Sequence, residues 1–430
     1  MASPVPPWSP RTRWSAAVCT AAVVLAATAC SGGTSELASE DAADSGPLKV
    51  SIAPEDGATE VRPDLPVTVT ASGGEITDVK VEESTPAPEG GAEDSGDDIP
   101  ATGTLNDDKT EWVSDWTLAP GSDVTVTAIV DKGGESSEFT SEFSTQEAVP
   151  GKRLELKQNQ PNSGDTVGVG MPVMIDFDMP VDDKARVEAA MEVTSEKPVK
   201  GAWNWFGDKQ AVFRPEEYWE PNQKVTVDLH LAGVQAAPGV YGVKDHRIEF
   251  EVGREQITDI DEDAHSMTVE RDGEKIKDFP VSLGMATTRK YTTTAGNHLV
   301  MSREENVPLT NGTLGVAKDA PNYYYEVADY AMRISWSGEY LHSAPWNPRV
   351  GEANTSHGCI NMTVADSKWY YDNSLVGDPV VITGTDRELE VDNGWGYWQR
   401  PWDEWLDNSA LGEADDTGEE GTPGSPHHQE

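Results

Sequence analysis

The sequence predicts a mainly β protein: two β-sandwich modules, then a third β-rich domain with one short helix. Three observations predict it. Runs such as Val67-Thr68-Val69-Thr70 and Val124-Thr125-Val126-Thr127 alternate branched apolar and polar residues, the period-2 pattern of a half-buried strand. Turn residues separate many such runs at close spacing, as sandwiches require. In the third domain, Thr363 followed three residues later by Asp366 forms a helix-start pattern late in the chain.

The elements follow in order. Arg11 and Arg13 precede an apolar run from Ala16 to Ala29, too short to span a membrane, which takes about 20 residues. Residues 1–29 therefore read as an export signal. The end of this run, Ala27-Thr28-Ala29-Cys30, resembles a bacterial lipoprotein box and predicts lipidation at Cys30. An ordinary signal cut nearby, with Cys30 incidental, is the alternative. Residues 30–47 read as a flexible Ser/Gly/acidic tether. The first module is expected over 48–148, with a solvated acidic loop between Glu83 and Asp98 and a closing strand through Phe143. The second is expected over 149–252, with strands at Val173–Phe177 and Lys224–Leu229 and a closing strand through Phe250 and Val252. Its aromatic group, Trp203, Trp205, Phe213, Tyr218 and Trp219, reads as core and as contact with the next domain rather than as a carbohydrate platform. The third domain, 253–384, opens on a strand at Ser266–Arg271 that runs into an Asp272-Gly273 turn. Its helix is expected through Trp369 and Tyr370, and a strand at Val380–Ile382 follows Gly377-Asp378-Pro379. Residues 385–408 carry five Trp or Tyr residues that must be buried against a domain. The acidic tail, 409–430, reads as disordered.

The chain has 430 residues, room for two to four domains. Its 32 basic and 76 acidic residues give a formal charge of −44, which argues against nucleic acid as a partner. There are three cysteines, Cys19, Cys30 and Cys359. The first two belong to the export signal and its end. Cys359 is then the lone thiol of an exported protein, a liability unless it is buried or does chemistry.

His342 and His357 bracket a short stretch ending at that thiol: His342-Ser343-Ala344-Pro345-Trp346, a Gly/Asn-containing loop, then Ser356-His357-Gly358-Cys359-Ile360-Asn361. A thiol with an ordinary pKa near ~8.5 needs a base to become a nucleophile, and an imidazole can hold the thiolate as an ion pair. Gly358 lets the backbone approach a substrate, and successive amides there can face an oxyanion. Inert packing of a buried thiol and a catalytic zinc site of His342, His357 and Cys359 are the competing readings.

The stretch resembles the signature of the L,D-transpeptidases, and Gly168-Val169-Gly170-Met171-Pro172 resembles actinobacterial members with two immunoglobulin-like modules. The resemblance covers about residues 48–408. It implies two immunoglobulin-like sandwiches followed by a catalytic domain and an aromatic C-terminal subdomain. It also implies Cys359 as nucleophile, His342 as base, and the Ser343 carbonyl as the group that orients His342. The amides of His357, Gly358 and Cys359 become oxyanion donors. Asn361, Tyr324, Met301, Trp346 and Ser356 become substrate-binding residues, with the tyrosine run 323–325 leaving the register open by one. The implied reaction joins peptidoglycan stem peptides, donor and acceptor, by 3→3 cross-links through a thioester, with release of D-alanine. It needs neither cofactor nor metal, and carbapenem β-lactams are expected to acylate Cys359. The expected place is the outer face of the cell membrane, within the wall, held by the lipid anchor. The rivals are a wall-binding lipoprotein without activity, an adhesin, and a γ-glutamyl-type amidase.

Overall fold

A computed structural model describes residues 46–84, 99, 101–321, 323–418 and 425. The export signal, Cys30, and most of the tether and acidic loop lie outside the described residues.

In the first module, period-2 alternation becomes a sandwich. Val124, Val126, Ala128 and Val130 of strand Asp123–Lys132 all point inward, against Val67, Val69 and Trp112 from the facing sheet. One sheet orders strands Lys49–Ala53, Thr68–Ser72, Glu111–Ser114 and Gly103–Leu105. The other orders Glu75–Ser84, Asp123–Lys132 and Glu135–Ser144.

The second module repeats the architecture. A sheet of Thr166–Val167, His246–Val252, Gln223–Leu229 and Met191–Ser195 faces a sheet built on Lys200–Phe206, Gln210–Pro215, Val173–Phe177 and Leu156–Gln160. Trp203, Trp205, Phe213 and Trp219 are buried in its core, so they are not a carbohydrate platform. Tyr218 meets Trp398 edge-on at 4.5 Å between ring centroids. Residues 385–408 fold back mainly on this module. Trp405 is fully buried, its Nε1 donating 2.9 Å to Ala202 O, and the Arg214 guanidinium lies 4.6 Å from the Trp405 ring centroid.

The tail departs from expectation. Residues Asp415–Asp416 form a short strand paired antiparallel with Lys200 and Gly201, and Thr417 N donates 3.0 Å to Val199 O. Edge pairing uses backbone groups, so an acidic composition does not prevent it.

The third domain carries a five-stranded sheet in the order Glu274–Pro280, Ser266–Arg271, Gln256–Asp261, Pro379–Thr383, Gly296–Leu299. A four-stranded sheet, Ser302–Glu304, Ala331–Arg333, Tyr340–Ser343 and Ile360–Met362, holds the cleft described below. Helix Val364–Asn373 starts at Thr363, whose Oγ1 accepts from Asp366 N at 3.2 Å. This domain is joined tightly to the second module. Gly168 N donates to Val376 O at 2.8 Å, and a Cβ on Gly168 would sit 2.3 Å from Asp378 N. Only glycine allows that approach. Asp378 is buried and receives both terminal nitrogens of Arg254 at 2.7 Å.

Candidate active site

Two parallel neighbours set the site. Strand Tyr340–Ser343 pairs with Ile360–Met362 in the register His342↔Asn361. Side chains of paired residues share a face, so His342 and Asn361 meet, and Cys359 sits at the start of the second strand. All three line a cleft of about 1120 Å³ with Tyr324, Trp346, Ser356, His357 and Gly358.

His342 is buried, with Nδ1 2.8 Å from Ser343 O. A carbonyl can only accept, so Nδ1 carries the proton and Nε2 presents a lone pair. Asn361 Nδ2 donates to that Nε2 at 3.1 Å, and Asn361 Oδ1 accepts from Asn347 Nδ2 at 3.0 Å. Burial pushes the imidazole down to about 4, against a smaller upward pull from the Ser343 carbonyl.

Cys359 is partly open to the cleft, packed beside Val307, Ala331 and Tyr340. Its thiol hydrogen bond goes to Gly338 O at 3.6 Å. Burial pushes the thiol up to about 12; the Glu339 carboxylate adds to this and Arg333 opposes it. Burial thus favours the neutral form of both groups. In this geometry the thiol bonds Gly338 O and the imidazole bonds Asn361, so the two are not hydrogen-bonded to each other.

Gly358 has φ +129°, a conformation that strains any residue with a Cβ. Its carbonyl accepts from Thr293 Oγ1 at 2.8 Å, and its amide donates to Ser356 Oγ at 3.1 Å. Ser356 Oγ also donates to Cys359 O at 2.5 Å. Ser356 thus braces the loop while also lining the cleft. The Gly358 amide is already engaged, so an oxyanion would first have to displace Ser356 from it. His357 lies between Tyr291, edge-on at 4.6 Å, and Tyr324 at 4.9 Å. Tyr324 lines the cleft, whereas Tyr325 is exposed on the outer hairpin Val307–Thr310/Tyr325–Ala328. Trp346 is exposed at the rim, 6.1 Å from His342 between ring centroids.

Met301 is not in this cleft. It is buried in the core shared with Trp395 and Tyr397, and its N donates to Arg333 O at 2.8 Å. The chain passes there from strand Gly296–Leu299 to strand Ser302–Glu304 of the four-stranded sheet. His342, His357 and Cys359 do not converge on one point either. Among the described residues no three His, Cys, Asp or Glu side chains gather as a metal site. Sequence reasoning missed Tyr291 and the buried Glu339. A charged residue inside Gly338-Glu339-Tyr340-Leu341-His342 was the available signal for the second; Tyr291 had none.

Fold and cleft define a modular, mainly β protein with a thiol and an imidazole lining one cleft of its last large domain. Residues 255–382 match the family model of the L,D-transpeptidase catalytic domain, and residues 58–235 match a bacterial Ig domain. L,D-transpeptidase 2 of Mycobacterium tuberculosis (strain CDC 1551 / Oshkosh) is 32% identical over 410 residues, covering 93% of this chain and 96% of that protein. L,D-transpeptidase 5 of M. tuberculosis (strain ATCC 25618 / H37Rv) is 31% identical over 373 residues, covering 84% and 77%. A solved L,D-transpeptidase in complex with imipenem is 34% identical, covers 53% of this chain and 98% of its own, and has a TM-score of 0.46. The chain belongs to the L,D-transpeptidase family.

Proposed function

We propose that this protein forms 3→3 cross-links between peptidoglycan stem peptides through a thioester on Cys359. The observation that carries the reading is the fixed tautomer of His342, whose Nε2 lone pair faces the cleft that Cys359 lines. For reaction, Nε2 exchanges the Asn361 amide for the thiol. Sγ attacks the carbonyl carbon of the bond before the terminal D-alanine, and its proton passes to Nε2. The C–N bond breaks, and D-alanine leaves as an amine that takes the proton from His342. The side-chain amine of a second stem then attacks the thioester, loses its proton to His342, and the thiol is restored. A neutral pair suits this sequence, because the proton moves only when substrate is in place.

Family membership supports the donor and acceptor chemistry, and β-lactams are proposed to acylate the same sulfur. The lipid anchor at Cys30 is proposed from the sequence alone. The test incubates the protein with a disaccharide-tetrapeptide and reads the muropeptides by mass spectrometry. Loss of D-alanine with a 3→3 dimer is expected. Loss of D-alanine without dimer would make the protein a carboxypeptidase. No product from folded protein would overturn the reading.

A further inference from the structure

The carboxylate of Glu339 lies buried behind the nucleophile and has no part in the proton transfers above. Thr294 N donates to its Oε1 at 2.8 Å, and Thr294 Oγ1, Ser335 Oγ and Ser337 Oγ lie 2.9, 2.7 and 3.1 Å from its Oε2. Glu339 N in turn donates to Ser335 Oγ at 3.1 Å. These bonds close the turn 335–338, whose last carbonyl, Gly338 O, takes the Cys359 thiol. Gly338 has φ +92°, so its carbonyl direction is set by this turn and not by a regular strand.

We propose that Glu339 is a positioning residue for the nucleophile: it fixes the 335–338 turn so that the Gly338 carbonyl, rather than His342, holds the Cys359 thiol in the free enzyme. The inference rests on Cys359 being the nucleophile, as proposed above. A buried charge with this many donors is costly to move, so the turn behaves as one rigid piece. The same negative charge faces the sulfur and disfavours thiolate, a second effect in the same direction. Other charged or titratable groups surround the pair. Arg333 opposes Glu339 at the sulfur. Arg387 Nη1 lies 4.0 Å from Glu339 Oε1. His298 reaches the carboxylate through Thr294 Oγ1, 2.7 Å from its Nε2. Tyr324 faces the sulfur from the hairpin side. A donor peptide that draws the thiol off Gly338 O then starts the reaction, and until then the Cys359 thiol reacts slowly with small electrophiles.

The test follows alkylation of Cys359 by iodoacetamide in the full chain across a range of pH, read on the Cys359 peptide by mass spectrometry. It needs no substrate turnover, so its failure is separable from failure of the proposed reaction. Glu339→Gln keeps the size but puts an NH2 donor where one acceptor oxygen stood, so it breaks part of the bracing of the turn as well as removing the charge. It is expected to alkylate roughly tenfold faster at about pH 7.5, with its inflection moved to lower pH. A folded Glu339→Gln protein whose pH profile overlies the parent's overturns the proposal. If that variant does not fold, Ser337→Ala decides. It loosens the turn with the charge kept, and a rate at least about twofold above the parent is expected. A rate equal to the parent's overturns the proposal.

Discussion

Lowering the pH tests the state of His342 most sharply. Burial pushes its imidazole down to about 4. The sign follows directly: a lowered pKa keeps the ring neutral, and so a competent base, to more acid pH. At about pH 5.5 an ordinary imidazole of pKa ~6.5 is roughly one-tenth neutral, whereas one titrating at about 4 is almost wholly neutral. The acylation rate from about pH 7.5 to about 5.5 should therefore change by less than about twofold, where an ordinary histidine base would cost about tenfold. Cys359, pushed up to about 12, should add no alkaline inflection near ~8.5. The assay measures adduct formation on intact protein by rapid quench and mass spectrometry, with an acylating β-lactam that does not itself titrate in this range. A roughly tenfold fall with a midpoint near ~6.5 would refute the neutral, desolvated base.

Two further outcomes are expected. Asn361→Ala removes the donor to His342 Nε2 and the acceptor for Asn347. It should cost about 1–3 kcal/mol of stability in a denaturant melt and slow acylation by roughly tenfold or more through loss of ring orientation. An unchanged rate would remove Asn361 from the site's machinery. Trp405→Ala empties a fully buried position in the second module's core and loses the bond to Ala202 O. Denaturation should show about 3–5 kcal/mol lost, and a change below about 1 kcal/mol would mean that the C-terminal subdomain does not support this module.

Much of the fold was legible because period-2 patterning and turn chemistry are local. Val124 to Val130 point inward as their alternation requires. Asp272 and Gly273 both take positive φ, 51° and 76°, as a tight hairpin turn needs. Thr363 caps its helix through its own side chain. What was not legible depends on tertiary approach. An apolar residue such as Met301 does not say which of two buried surfaces it joins. The pairing of Asp415 and Asp416 is made by backbone, on which composition is silent. The sequence brings a thiol and an imidazole into one loop system, but their protonation states follow from desolvation and from Glu339, which only packing reveals.

Acylation by a carbapenem probes Cys359 as the proposed nucleophile of this cleft. The protein is exposed to a carbapenem, and its intact mass and Cys359 peptide are read beside a Cys359→Ala variant shown to be folded. A single covalent adduct is expected on the Cys359 peptide of the parent and none on the variant. An adduct of the same extent on Cys359→Ala, or none on the folded parent, would contradict that assignment.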